Sequence, residues 1–197
     1  VTSSTGTDTY SAIAAGIGSL KGPLHGGANI QVTDMFHHLQ ENIRDWTNVD
    51  EIDTYFTRML NKEVYNKTGL IYGIGHAVYT ISDLVHTFKE LARDLAREKG
   101  KEREFAFLEL LEERAIEVFG RVKNNGKTVS SNVDFYSGFV YEMIGAAGNI
   151  TPLFAMARIV GWCAHRNEEL NFEGKRIIRP AYKNVLEEVA YIPIKKR

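Results

Sequence analysis

An all-α fold is predicted by three observations: apolar residues recur at spacings of three, four and seven, capping residues and glycines punctuate those stretches, and only KRIIRPAYK near the end reads as extended. The first stretch, TDTYSAIAAGIGSLKG, is a helix rich in small residues, which lets another helix cross it closely. A second helix opens at Gly27 or Ala28, just past a glycine-rich loop. NVDEIDTYFTRMLNKE forms a shorter amphipathic helix with Asn48 or Asp50 near its start. In SDLVHTFKELARDLAREKG the expected buried stripe is Leu84, Val85, Phe88, Leu91 and Leu95, with Ser82 as N-cap and Gly100 as stop. EREFAFLELLEERAIEVFG repeats the scheme with Phe105, Leu108, Leu111, Ala115, Val118 and Phe119, and Gly120 as its terminator, so the two form a helical hairpin. An apolar helix with Phe135, Phe139, Val140 and Tyr141 follows Asp134, and TPLFAMARIVGWCAHRNEEL carries Pro152 in its first turn, where the missing N–H is harmless. Loops fall at Gly22 to Gly27, Gly69 to Thr80 and Lys123 to Ser131.

Composition narrows the function classes. With 197 residues, 44% of them hydrophobic and 25% charged, the chain fits one globular domain, or one large domain with a subdomain, and not a disordered tail. Twenty-four basic and 25 acidic residues give a net charge of -1, so no overall field draws nucleic acid or an anionic membrane. The single cysteine, Cys163, excludes an internal disulfide and a cysteine-based zinc cluster and suits a reducing, cytoplasmic setting. The most apolar run, LFAMARIVGWCA, holds Arg158 and falls short of the about 20 residues that span a bilayer. The opening VTSSTGTDTYS has neither the basic start nor the apolar region of a signal peptide and no initiator methionine, so the expectation is a portion of a longer polypeptide.

The loops hold the chemistry. In KGPLHGGAN, glycines and a proline around His25 strip away side-chain bulk, and a helix N-terminus beside the ring disfavours its protonated form. A neutral imidazole can donate a hydrogen bond to a developing oxyanion, although a histidine in such a turn can equally cap backbone carbonyls. In GIGHAV, His76 follows Gly-Ile-Gly, a backbone able to wrap a ligand through its amides, yet no strand precedes it and no P-loop lysine follows. In SSNVDFYSG, Asp134 stands at the mouth of an apolar helix. It is either an N-terminal carboxylate satisfying backbone donors or a base walled by aromatic rings. Taken singly, none of the three decides.

Taken together and in order, GSLKGPLHGGAN, GIGHAV and SSNVDFYSG, with YSAIAAG and ARIVGW beside them, resemble the citrate synthase family. The resemblance runs through essentially the whole chain and corresponds to the C-terminal portion of the family's usual polypeptide. It implies a multi-helical citrate synthase-like fold: 1–25 part of the large domain, 26–131 the small helical domain, and 132–197 the return to the large domain with a C-terminal arm. It implies an acyltransferase that condenses acetyl-CoA with oxaloacetate and hydrolyses the thioester to citrate and CoA, with no metal and no permanently bound cofactor. By the same resemblance Asp134 removes the methyl proton, His25 hydrogen-bonds the thioester carbonyl oxygen, and His76 polarises the ketone and supplies a proton. Arg158 and Arg179 would hold substrate carboxylates, Arg179 by reaching across a homodimer's two-fold axis, and the backbone of Gly73, Ile74, Gly75, Ala77 and Val78 would border the CoA adenine.

The chain departs from the family pattern after GHAV, where the family runs through a basic residue to Asp-Pro-Arg. Here Thr80 and then Asp83-Leu84-Val85 stand instead, and Leu-Val-His joins the motif abruptly, as if a segment were missing between Asp83 and Leu84. Losing a bidentate arginine contact to a carboxylate costs on the order of 2 to 5 kcal/mol, and His86, one place on, replaces it only if protonated. Two other readings are carried: 2-methylcitrate synthase, which uses propionyl-CoA on the same residues, and a non-catalytic helical CoA-binding or interaction module.

Overall fold

A computed structural model describes residues 1–22, 27–75, 83–123, 129–146, 151–183, 185 and 191–196. The described residues form seven α-helices: α1 (Thr9–Leu20), α2 (Ala28–Asn42), α3 (Val49–Leu60), α4 (Asp83–Lys99), α5 (Glu102–Lys123), α6 (Asp134–Met143) and α7 (Thr151–Asn171). Short 3-10 turns lie at Ser3–Thr5 and Ile194–Lys196. Among the described residues the only β-type pairing is an isolated bridge between Ile74 and Ser131. The chain divides into two compact units, one of residues 18–157 and one of residues 1–17 with 158–197.

In the larger unit the helix boundaries follow from local chemistry. Asn48 caps α3 by accepting the Glu51 N–H at 3.1 Å, and the Glu51 carboxylate accepts the backbone N–H groups of Arg44 and Asp45 in return. Gly100, at φ +65°, turns the chain between α4 and α5 in the left-handed region that ends helices. Ion pairs from Lys89 and Arg93 of α4 to Glu109 of α5 lace the resulting hairpin.

One core runs through the larger unit. Met35, Phe36 and Leu39 of α2, Ile52, Phe56 and Met59 of α3, Phe105, Leu108, Leu111, Ala115 and Val118 of α5, and Phe135, Tyr136 and Phe139 of α6 are all buried in it. Trp46 stacks on Phe107, their ring centroids 4.8 Å apart.

Two local expectations are corrected. Val85 is buried and Phe88 packs on the core as expected, but Leu91 is exposed, and Ala92 and Ala96 take the other buried positions on α4. Small residues at the contact admit a close neighbour, and leucine points past it. Gly120 does not end α5, which continues to Lys123. Glycine weakens a helix by about 1 kcal/mol, and here Val122 packing on the core and Arg121 pairing with Asp53 at 2.9 Å offset that loss. Asp83 and Leu84 are the first two residues of α4.

Arg114, a charge in the buried stripe of α5, is held by the Asp53 carboxylate in a fork of two hydrogen bonds, each of 2.7 Å, from Nε and Nη2. Hydrogen bonds from Arg114 hold the Asp53 carboxyl below its ordinary 3.8, outweighing burial, and Arg121 adds to them.

In the smaller unit, an added Cβ at Gly16 of α1 would touch the Trp162 ring of α7 at 3.4 Å. Arg166 is buried there and donates to the carbonyls of Ser3 at 3.0 Å and Thr7 at 2.5 Å, fastening the first residues of the chain to α7. Where it is described, the segment after α7 is irregular up to the 3-10 turn at Ile194–Lys196.

Asp53→Asn removes the charge opposite a largely buried arginine and is expected to cost about 3 kcal/mol at neutral pH. Since the folded-state pKa of Asp53 is the lower one, its contribution is complete above about pH 4 and is lost as the pH falls through the folded value. Urea unfolding across pH 7 to 3 checks this: the gap between wild type and variant should be widest at neutral pH and narrow in acid.

Candidate active site

Asp134 is the first residue of α6, where the helix N-terminus favours an anion. Its N–H is received by the Asn132 side-chain oxygen at 3.0 Å, and the Phe135 N–H by the Asn132 carbonyl, also at 3.0 Å. Asn132 therefore closes the turn that presents the carboxylate. Phe135 and Tyr136, next along α6, are buried, and Tyr141 lies further along the same helix. Burial first, and then the negative charge of Asp134, push the Tyr141 phenol above its ordinary value.

The Gly73–Gly75 backbone lies directly against this turn. Asn132 N–H donates to the Gly73 carbonyl at 2.8 Å, Gly75 N–H donates to the Ser130 carbonyl at 2.7 Å, and Asn132 Nδ2 donates to the Gly75 carbonyl at 3.0 Å. Three hydrogen bonds thus register the peptide next to His76 on the residues just before Asp134. Gly73 has φ +79°, and a Cβ there would lie 2.9 Å from the Phe135 ring, 3.1 Å from Phe135 Cα and 3.0 Å from Val32 of α2. Only glycine fits.

The helix that follows the His25 loop is docked on the same turn. Asn29, buried in the first turn of α2, donates its side-chain amide to the Ser137 hydroxyl, three residues past Asp134. Gly138 completes the crossing, because a side chain there would overlap the Thr33 hydroxyl and press on the Asn29 amide. The described flanks of all three loops converge on the N-terminus of α6.

Beneath that turn lies Glu112 of α5. Its carboxylate accepts hydrogen bonds from the Ser131 hydroxyl, from Tyr136 OH at 2.5 Å and from Lys89 Nζ at 2.8 Å. Burial opposes its charge, yet these three donors prevail and hold its carboxyl below the ordinary value. Burial and the same carboxylate push the Tyr136 phenol far up, so it stays a protonated donor.

Of the residues expected from the sequence, Asp134, Gly73, Ile74 and Gly75 come together here. His25, His76, Ala77 and Val78 lie outside the described residues. Arg158, half-buried on α7, and Arg179, exposed beyond it, belong to the smaller unit. Val85, where the resemblance expects an arginine, is buried in the core, and His86 is exposed. Sequence reasoning passed over Asn132 and Glu112. Asn132 stands inside a quoted motif as a small polar residue two places before a helix start, which is a recognisable capping signal.

With this geometry in place, comparison with known proteins is informative. The family model described as "Citrate synthase, C-terminal domain" matches residues 1–181.

The chain belongs to the citrate synthase family.

A citrate synthase from Deinococcus radiodurans is 38% identical over 200 residues, which is 100% of this chain and 48% of that protein. The 2-methylcitrate synthase 1 of Corynebacterium glutamicum is 35% identical over 203 residues, covering 100% of the chain and 47% of that protein. Among solved structures, the ternary complex of carboxymethyl coenzyme A and oxaloacetate with citrate synthase from Thermoplasma acidophilum matches with a TM-score of 0.72 and 33% identity, over 98% of this chain and 48% of that one. Citrate synthase from Thermotoga maritima matches with a TM-score of 0.70 and 34% identity, over 99% of this chain and 49% of that one. The chain spans about half the length of these citrate synthases. Family membership accounts for the all-helical fold. No described helix is long and apolar enough to cross a membrane.

Gly73→Ala tests the convergence itself. The left-handed backbone and the contacts with Phe135 and Val32 predict a loss of about 1 to 3 kcal/mol, read by urea unfolding. Alanine at the unconstrained Gly18, where nothing lies within 4 Å of an added Cβ, should not destabilise.

Proposed function

We propose that this chain is the C-terminal portion of a citrate synthase whose complete protein condenses acetyl-CoA with oxaloacetate and water to give citrate and CoA, the acyl group becoming an alkyl group on transfer. The observation that carries this is the meeting, at the N-terminus of α6, of the flanks of three loops that occur in the family's order.

The difficult step is removing a weakly acidic methyl proton. Asp134 takes that proton as general base, and His25 hydrogen-bonds the thioester carbonyl oxygen while negative charge develops on it. The new carbon–carbon bond forms at the ketone of oxaloacetate, whose oxygen His76 polarises and protonates. Water then cleaves the thioester and CoA leaves. Holding base, donor and both reactants in one geometry removes entropy that the uncatalysed encounter loses at the transition state.

Arg158 and Arg179 hold the oxaloacetate carboxylates through their planar forks. Arg179 does so from the partner subunit of a homodimer. The buried Val85 leaves this clamp without a third arginine, so affinity for oxaloacetate rests more heavily on these two. The backbone of Gly73, Ile74, Gly75, Ala77 and Val78 borders the adenine of CoA. Residues 26–131 serve as the small domain, with 1–25 and 132–197 contributing to the large one. The reaction is that of the tricarboxylic acid cycle and takes place in the cytoplasm.

The likeness to a 2-methylcitrate synthase supports a second reading, in which propionyl-CoA is the acyl donor on the same residues. One methylene changes binding by about 1 to 3 kcal/mol, so both donors are tried.

The test is release of CoA thiol by the complete protein with oxaloacetate and either acyl-CoA. Turnover with acetyl-CoA at the higher kcat/KM is expected, and Asp134→Asn should lower kcat by about 10²-fold or more while sparing binding. A preference for propionyl-CoA favours the second reading. Binding of CoA without thiol release from either donor leaves a non-catalytic module.

A further inference from the structure

We propose that Asn132 is a positioning residue that fixes the base Asp134 and the His76 loop to one another, an inference that rests on the function proposed above. Three of its polar groups are each committed to a different part of the site. Its side-chain oxygen accepts the Asp134 N–H at 3.0 Å, its side-chain nitrogen donates to the Gly75 carbonyl at 3.0 Å, and its backbone N–H donates to the Gly73 carbonyl at 2.8 Å. A single planar amide therefore spans the gap between the peptide carrying the carboxylate and the peptide preceding the histidine. Being rigid, it transmits a displacement of either side to the other.

Its own position is braced from below. The neighbouring Ser131 hydroxyl is bound by Glu112, and the same carboxylate takes the Tyr136 hydroxyl from the far side of Asp134. The turn is thus held at residues 131 and 136 while Asn132 sets the register between them. No other side chain donates to the Gly75 carbonyl among the described hydrogen bonds.

The amide chemistry defines the variants. Asn132→Asp keeps an oxygen to accept the Asp134 N–H but replaces the donor to Gly75 with an acceptor, setting two oxygens against each other. Asn132→Ala removes both links. A displacement near 1 Å at reacting groups costs about 10²-fold in rate, so the alanine variant is expected to lose about tenfold to a hundredfold in kcat. KM for oxaloacetate should stay within about threefold, because its carboxylates are held by Arg158 and Arg179 and not through Asn132, whereas KM for the acyl-CoA is free to rise as the Gly73–Gly75 backbone shifts. The aspartate variant should fall in kcat as well, since the repulsion at the Gly75 carbonyl breaks the link although the acceptor for the Asp134 N–H survives.

Thiol release with both substrates varied, made on the complete protein together with thermal unfolding, decides the matter. Asn48→Ala, which removes the cap of α3, serves as a control that lowers stability and leaves kcat per folded molecule unchanged. A fall in kcat at near-constant KM for oxaloacetate, well beyond what the folded fraction explains, supports the positioning role. Wild-type kcat in Asn132→Ala, or a loss that tracks the folded fraction as in the control, overturns it. Wild-type protein that releases no thiol overturns the condensing reading and this inference with it, a result recognised before any variant is made.

Discussion

The backbone at Gly73 approaches the α6 helix and α2 so closely that no side chain fits between them. A Cβ at that position would stand 2.9 Å from the Phe135 ring and 3.0 Å from Val32. The approach brings the Gly73 and Gly75 carbonyls within reach of Asn132 and the Gly75 N–H within reach of Ser130. It also depends on a second close contact, where Gly138 leaves room for Thr33 and Asn29 of α2. Two glycines at different elements thus allow the segments after His25, before His76 and around Asp134 to share one small region. The chemistry proposed for the protein needs that proximity, because a proton transfer and a bond formation have to be arranged within a few ångströms.

Charge secures the same region from inside the core. Glu112 would be costly to bury alone, and its three donors come from three directions: Lys89 on α4, Ser131 in the loop and Tyr136 on α6. Meeting that requirement ties the elements together. Asp53 and Arg114 do the equivalent between α3 and α5, further from the site. The apolar core gives the larger unit its stability, and these two half-buried carboxylates give it specific orientation.

Much of the fold was legible because its signals are local. Asn48 at the start of α3, Gly100 after α4 and Pro152 in the first turn of α7 act within a few residues of themselves, and the helices begin and end where they indicate. Reading failed where a partner far along the chain decides. Leu91 gives way to Ala92 and Ala96 because of what packs there, and Gly120 stays helical because Arg121 finds Asp53, 68 residues away. The site followed the same division. Its motifs were ambiguous one by one and became specific only as an ordered set resembling a family. Asn132 and Glu112 escaped notice because their roles consist of contacts 57 and 19 residues distant, to Gly75 and to Ser131.

Val85, where the resemblance leads one to expect an arginine, is buried in the core, and under the proposed function that difference bears on substrate grip and not on the proton transfers. The central claim is that His25, His76 and Asp134 act on one pair of reactants. A crystal structure of the complete protein with oxaloacetate and an unreactive acyl-CoA analogue tests it most directly. The account predicts the two imidazoles and the carboxylate all within about 3.5 Å of ligand atoms in a single cavity at the N-terminus of α6. Ligands bound elsewhere, or any of the three side chains turned to a separate surface in that complex, would contradict it.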